Sequence, residues 1–339
     1  MTPHILIVGI GGRTGSMFAK ELGSVSRVTG AGFDREIDAI ARGGIMTLGG
    51  DLPARALDVF AVRAVDYGQI ALWLAPDYIF LTTRNPVGEI VKTYYKPFAG
   101  QDKIPTLIIS QNGLSAIDDA KAALSEIFGS KADHVGIIRI SLIDPVDAQV
   151  VDGKSQIIYR LPIRLGFGGV GTTDAGEVAE VFKKAGFKTE RFFGQGVLAM
   201  ERSKLYMNLI GMASAAAGMT VAQGLSDPRI FKQEVLMLRE YAAAVKKNKG
   251  SFTTLAGYPI GQIAFLLGNL PLSLLVLFRK NLIEIVAKNR NNKPKDINEI
   301  DYYNGEVIRL GQKTGVPTPI NEEIVRRAKE ILKNAKRQN

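Results

Sequence analysis

The sequence predicts an α/β N-terminal domain with a mostly parallel, doubly wound sheet over residues 1–170, followed by an all-α C-terminal domain over residues 171–339. Three observations predict it. Short apolar, β-rich runs alternate with helical patterns in the first half, a glycine cluster joins the first run to the first helix, and from about Gln195 the pattern turns to long helices. The apolar runs fall at residues 4–8, 28–33, 59–62, 78–82 and 106–110, with helical segments between most of them, the order expected of βαβ units. Further strand-like runs follow at 135–142, 156–159 and 161–167. The Gly/Thr-rich stretch 168–174 then marks the expected boundary, and no convincing strand is read after Gln195.

Composition narrows the chemistry. With 339 residues, 46% of them hydrophobic, the chain can bury two cores. The absence of cysteine excludes disulfides, thiolate metal sites and cysteine nucleophiles. The two histidines, His4 and His134, each stand beside an apolar run and read as structural, so neither a histidine-centred triad nor a histidine-rich zinc site is expected. No carboxylate group has convincing ligand spacing either, and no metal is expected. The start Met1-Thr2-Pro3-His4 has no basic region and no small-residue cleavage site, so a cytoplasmic location is expected.

The formal charge of +10 is scattered and concentrates only after Lys246, on helical segments with no aromatic platform. This reads as a solvated basic face that attracts a phosphorylated cofactor and an anionic substrate, not as a nucleic-acid surface. Residues 255–278 carry no charge over 24 positions, long enough to cross a bilayer. Pro259 and Pro271, with Gly257, Gly261 and Gly268, break the segment, and both flanks are basic, so a buried helical pair or a dimer interface is expected there instead of a membrane span.

The chemistry-bearing motif comes first in the chain. Ile5-Leu6-Ile7-Val8 runs into Gly9-Ile10-Gly11-Gly12-Arg13-Thr14-Gly15, and residues 16–22 read as a helix. A strand, a tight turn and a helix N-terminus present backbone N–H groups and a helix dipole to a pyrophosphate, the Rossmann arrangement for a nicotinamide dinucleotide. Gly9, Gly11, Gly12, Arg13, Thr14 and Gly15 are therefore the candidate phosphate-binding residues. The third glycine comes one position late, with Thr14 in its usual place. Asp34, 19 positions beyond Gly15 at the end of the second strand, suits the ribose hydroxyls of NADH, whereas Arg35 beside it suits the 2′-phosphate of NADPH. Both nucleotides stay open, and the position of the carboxylate favours NADH.

Hydride delivery to a carbonyl needs a donor for the developing alkoxide. Histidine is set aside above, and none of the ten tyrosines has a lysine four residues on, so a lysine is the natural candidate. In Met200-Glu201-Arg202-Ser203-Lys204-Leu205-Tyr206-Met207-Asn208, Lys204 and Asn208 share one helical face. Taken alone, such a pair is ordinarily a solvated face.

Several stretches in order resemble the ketopantoate reductase (2-dehydropantoate 2-reductase) family over essentially the whole chain. They are the glycine loop, Gln111-Asn112-Gly113, Lys204 with Asn208, Asn298-Glu299-Ile300-Asp301-Tyr302-Tyr303-Asn304-Gly305, and Gly315-Val316-Pro317-Thr318-Pro319-Ile320-Asn321. The resemblance implies that Lys204 is the general acid and that Asn208 contacts substrate. It places Asn112 near the nicotinamide and substrate, and Glu299 near the nicotinamide ribose and the lysine. Arg84, in Thr82-Thr83-Arg84, matches a basic residue in the loop after the fourth strand. It further implies NADH or NADPH as cofactor, a small anionic 2-oxo acid as substrate (ketopantoate, reduced to pantoate for coenzyme A synthesis), and a homodimer.

Plain readings stand beside these roles. Asn112-Gly113 is a turn signal in itself; Glu299 is expected to begin a long helix, where the dipole favours a carboxylate regardless of function; Pro317, Pro319 and Asn321 read as a helix connection. Two features depart from the family. Met212 stands one turn beyond Asn208 where the family often has another asparagine, and the serine region upstream of the glutamate is replaced by Ala287-Lys288-Asn289-Arg290-Asn291-Asn292-Lys293-Pro294. Lys288 or Arg290 is a candidate carboxylate binder in its place. A reductase of another 2-oxo acid or imine, and a non-catalytic dinucleotide sensor, are the alternatives.

Overall fold

A computed structural model describes residues 2–49, 53–277, 279 and 294–338. The chain forms two compact units, Met1–Gln111 with Ala116–Val197, and Asn112–Ser115 with Leu198–Asn339.

Among the described residues the first unit holds twelve strands: β1 (His4–Val8), β2 (Arg27–Gly32), β3 (Ile45–Gly49), β4 (Arg55–Ala56), β5 (Ala61–Arg63), β6 (Tyr78–Leu81), β7 (Thr106–Ile109), β8 (Ile137–Leu142), β9 (Asp147–Val151), β10 (Lys154–Tyr159), β11 (Arg164–Gly169) and β12 (Lys188–Phe192). Eight of them form one sheet in the order β12-β11-β8-β7-β6-β1-β2-β5. Its neighbours run parallel except for β8 with β11. The predicted parallel α/β half is therefore present. β1 is buried throughout, and its side chains divide by period two: Ile5 and Ile7 enter one apolar core, Leu6 and Val8 the other.

Helices cover both faces. α1 (Arg13–Leu22) sends Met17, Phe18 and Leu22 into the first core, while α3 (Tyr67–Leu74), α4 (Val87–Tyr95) and α5 (Ala116–Phe128) close the second; α2 (Asp34–Ala41) follows β2. From β1 the chain builds outward through β2 and β5 on one side, then returns to build β6, β7 and β8 on the other. The glycine turn after β1 thus lies at the topological switch point, where sheets of this kind bind ligands.

The smaller sheet, β4-β3-β10-β9, was not foreseen apart from β10. Its edge strand β9 is exposed at every position and so lacks the apolar periodicity that betrays a strand. β12 is an edge strand of similar character, KTERF, yet it pairs with β11 after α6 (Gly176–Lys184). The first compact unit accordingly runs past 168–174 to Val197.

The second unit is helical: α7 (Gln195–Leu209), α8 (Met212–Ala215), α9 (Val221–Ser226), α10 (Pro228–Lys247), α11 (Ile260–Asn269), α12 (Leu272–Leu277), and two later helices, Asn304–Thr314 and Pro319–Gln338. Its strands among the described residues are a two-residue pair, Thr254–Leu255 with Tyr258–Pro259. α10 starts where Asp227 accepts from the amides of Arg229 and Ile230 and Pro228 occupies the first turn. Leu205, Tyr206, Leu209, Met237, Tyr241, Val307 and Ile324 form the core.

The uncharged stretch 255–277 is divided among that strand pair, α11 and α12, with a break at Leu270-Pro271; Phe278 lies outside the described residues. No helix among the described residues is long and apolar enough to cross a membrane. The two helices bury Ile260, Ala264 and Leu275 but leave Phe265 and Leu277 exposed, so the pair is half buried, not wholly buried.

Glu234 of α10 is buried and accepts from Gly211 N at 3.2 Å, Ser214 N at 3.1 Å and Ser214 Oγ at 2.9 Å. Burial pushes its carboxyl above the ordinary value despite those hydrogen bonds and the nearby Lys295 charge. A folded-state value above the unfolded one gives stability that is complete below the ordinary glutamate range and is lost as pH rises through the folded value. The Glu234→Gln variant, which cannot ionise, should therefore gain on the wild type as pH rises from 4 to 8 in urea denaturation; a gap moving the other way would refute the assignment.

Candidate active site

In the first unit the glycine turn is tied to β2 by Gly9 N and Ile10 N, which donate to Ala31 O at 2.8 and 3.1 Å. Gly9 has φ +88°, and a Cβ there would come within 2.9 Å of Thr83 Cγ2. A Cβ on Gly15 would lie 2.2 Å from Gly9 O. The late third glycine is thus the residue that lets α1 pack onto the turn. Gly12 caps α1 without a side-chain hydrogen bond, so the amides of Arg13, Thr14 and Gly15 have no intrahelical carbonyl to meet. Gly12 and Arg13 are exposed. A glycine-rich turn, its Ile10 side chain buried, beneath open amides at a helix N-terminus fits a dinucleotide pyrophosphate.

Gly11 serves a second purpose, unread in the sequence. A Cβ on it would stand 2.5 Å from Cβ of Glu36, whose Oε2 accepts from Phe33 N at 3.0 Å at the start of α2. Asp34 opens α2, exposed, with Oδ2 3.7 Å from Arg63 Nη1. Arg35 is exposed beside it, and Arg84 is exposed in the loop after β6, the fourth strand of the main sheet in chain order.

The second unit brings three of the four expected catalytic residues into one network. Asn208 Nδ2 donates to Asn112 Oδ1 at 2.9 Å; Asn112 Nδ2 donates to the Tyr303 hydroxyl at 3.0 Å and to Glu299 Oε2 at 3.4 Å; Tyr303 donates to Glu299 Oε2 at 3.3 Å. Every donor in the chain points toward the carboxylate. The Glu299 carboxylate, as the terminal acceptor, therefore fixes which way both amides face. Lys204 stands one turn before Asn208 on α7, half-buried.

Asn112 reaches this network through a turn, as its plain reading expects. Gly113 has φ +104°, its missing Cβ would lie 3.1 Å from Glu306 Oε1, and Ser115 N donates to that same oxygen at 3.2 Å. Glu299 differs from expectation: it precedes a single 3-10 turn, Ile300–Tyr302, and the long helix begins at Asn304, so no helix dipole accounts for it. Met212 also differs. α7 ends at Leu209 and Gly211 (φ +92°) redirects the chain, which puts Met212 at the start of α8, fully buried in the core instead of one turn further along the Lys204–Asn208 face. Asn321 is buried, donating to Glu240 Oε2 at 2.7 Å and accepting from Asn304 at 2.9 Å, a helix connection as read.

Two participants escaped the sequence reading. Tyr303 lies four residues beyond Glu299, and that spacing is the signal that could have revealed it. Lys295 donates to the carbonyls of Asn208 and Ile210 at the end of α7, and its ammonium lies 5.7 Å from the Tyr303 ring centre. Lys288 and Arg290, the expected carboxylate binders, lie outside the described residues. Among the described residues no group of three or more His, Asp or Glu side chains could hold a metal ion. His4 is buried, Nε2 2.9 Å from Thr29 Oγ1, and burial lowers its basicity.

No curated protein matches the chain in sequence. Solved structures share its fold at low identity. A PanE/ApbA family ketopantoate reductase from Ralstonia eutropha JMP134 superposes with a TM-score of 0.72 at 14% identity, over 99% of this chain and 100% of its own. A ternary D-mandelate dehydrogenase structure with NADH and anilino(oxo)acetate gives 0.70 at 15% identity, over 96% and 97%. A 2-dehydropantoate 2-reductase from Geobacter metallireducens GS-15 gives 0.66 at 18% identity, over 97% and 99%. Residues 197–332, which carry Lys204, Asn208, Glu299 and Tyr303, match the family model described as ketopantoate reductase PanE/ApbA C terminal.

Proposed function

We propose that the protein is an NAD(P)H-dependent reductase of a small 2-oxo acid, ketopantoate in the first instance, yielding the 2-hydroxy acid pantoate. The observation that carries this reading is the network from Asn208 through Asn112 and Tyr303 to Glu299, assembled from three separate stretches of the second unit and adjoining the helix of Lys204. The family match of the helical half and the fold shared with reductases and an NADH-bound dehydrogenase support it.

When bound, the nicotinamide supplies the hydride. The turn Gly9, Gly11, Gly12, Arg13, Thr14 and Gly15 would hold its pyrophosphate, with Asp34 at the ribose hydroxyls and Arg84 as an outlying cation. Lys204 donates its proton to the substrate carbonyl oxygen as charge develops there. Asn208 holds the substrate, its amide oriented by Asn112. Glu299 keeps the lysine charged and directed, and as an acceptor it fixes both asparagines. A homodimer accords with the exposed apolar side chains of α11 and α12, Phe265 and Leu277.

The test follows nicotinamide absorbance when NADH, and separately NADPH, is mixed with the protein and ketopantoate, pyruvate, phenylglyoxylate or a cyclic imine. Ketopantoate-dependent oxidation is expected. Oxidation only with another oxo acid or the imine would replace the substrate, and none with any of them would remove the reductase assignment.

A further inference from the structure

β5 is the terminal strand of the main sheet and runs parallel to β2 with Arg63 opposite Gly32; Ala64 N donates to Gly32 O at 2.8 Å. Arg63 therefore leaves the sheet at the carboxyl ends of the strands, beside the residue from which the chain turns into α2. Asp34 and Asp38 are four apart on α2 and share one face. The Arg63 guanidinium spans them, Nη1 3.7 Å from Asp34 Oδ2 and Nη2 3.0 Å from Asp38 Oδ1. The side chains of Arg63, Asp34 and Asp38 are 45%, 60% and 47% exposed, so a ligand at the strand ends can reach all of them.

We propose that Arg63, not the adjacent Arg35, is the cation that sets the preference between NADH and NADPH. The proposal rests on the assignment of the first unit as the nucleotide site. Two carboxylates against one guanidinium leave a net negative charge where the adenosine ribose belongs, and a 2′-phosphate meets repulsion there while two hydroxyls do not. The unequal distances matter. Arg63 is held closely by Asp38 and loosely by Asp34, so Asp34 can turn both oxygens to a ribose diol while the arginine stays in place. Arg35 follows Asp34 directly on α2, and consecutive helical residues do not share a face, which directs it away from the Asp34–Asp38 side.

Without Asp34, Nη1 of Arg63 has no competing carboxylate on that side and the planar guanidinium matches a phosphate. Arg63 is thus a latent phosphate ligand: while Asp34 stands beside it the carboxylates exclude the 2′-phosphate, and released from Asp34 it binds one.

The experiment titrates the full chain with NADH and NADPH by calorimetry, so that binding is read without turnover. The wild type is expected to prefer NADH. Asp34→Ala should move the ratio of the two dissociation constants toward NADPH by at least about tenfold, and adding Arg63→Ala should abolish that gain. Arg63→Ala alone should deepen the preference for NADH, Arg63→Lys should restore part of the wild-type ratio, and Arg35→Ala should leave it within about twofold. A ratio that follows Arg35 and ignores Arg63, or a wild type that prefers NADPH, overturns the proposal. A correctly folded wild type that binds neither nucleotide overturns the nucleotide site itself, a result distinct from a misplaced preference.

Discussion

Replacement of Lys204 by alanine is expected to lower turnover by about 10²–10⁴ while the dissociation constant for NADH stays within about twofold. The size follows from the role proposed for the lysine. A hydride arriving at a carbonyl carbon leaves negative charge on oxygen, and a positioned ammonium both stabilises that charge and delivers a proton, an interaction strongest in the transition state. The selectivity follows from where the groups lie. The proposed phosphate and ribose contacts are made by the glycine turn and Asp34 and not by Lys204, so the alanine variant should leave them in place. The hydrogen bonds from Asn208 to Glu299 are made by other side chains and should persist, which separates loss of the acid from collapse of the site. Stopped-flow oxidation of NADH with ketopantoate, beside a nucleotide titration of the same variant, checks both halves. Near-normal turnover by Lys204→Ala would sink the mechanism, and a parallel loss of nucleotide binding would reassign the lysine to the cofactor.

What the sequence made legible follows the physics of burial. Strands buried on both faces, such as β1, appear as unbroken apolar runs and were placed correctly, and the glycine turn was read from its context of strand and helix. Edge strands were not legible. KTERF in β12 depends on β11, some twenty residues earlier and across α6, while the wholly exposed β9 pairs with the neighbouring β10 across Asp152-Gly153, so that only the turn dipeptide and no apolar periodicity marks it. The same limit applies to the site. Lys204 and Asn208 lie on one continuous helix, so helical spacing relates them; Asn112 meets Tyr303 and Glu299 only through tertiary structure, and without the family resemblance nothing local joins residue 112 to residue 299. Extrapolating a helix too far explains both corrections. A face drawn through Met212 ignores the break at Gly211, and a helix begun at Glu299 ignores the single 3-10 turn that brings Tyr303 back onto its carboxylate.

Alanine at Gly15 and alanine at Gly12 should fail in opposite ways, although the motif treats both as phosphate-loop glycines. On helix propensity alone Gly15→Ala, inside the first turn of α1, would stabilise by up to about 1 kcal/mol. Its Cβ, however, would lie 2.2 Å from Gly9 O and 2.7 Å from Thr82 Oγ1, and Thr82 already donates to Val8 O at 2.7 Å, so neither neighbour yields cheaply. Overpacking of this kind costs about 1–3 kcal/mol, and with a backbone carbonyl as the obstacle the clash outweighs the propensity. Gly15→Ala should thus lower the melting temperature by several degrees, on the order of 2–4 °C per kcal/mol, and spread the turn enough to weaken nucleotide binding as well. Gly12 adopts extended dihedrals open to any residue, and its Cβ would approach only Gly9 O, at 3.2 Å. Its alanine variant should unfold within about 1 kcal/mol of the wild type yet bind NADH at least about tenfold more weakly, because a methyl on the exposed residue that caps α1 would crowd the pyrophosphate proposed to bind there. Thermal denaturation and calorimetric titration of both variants separate the two glycines. Equal stability loss in both would make the turn a purely structural feature, and unchanged nucleotide binding in Gly12→Ala would place the pyrophosphate elsewhere.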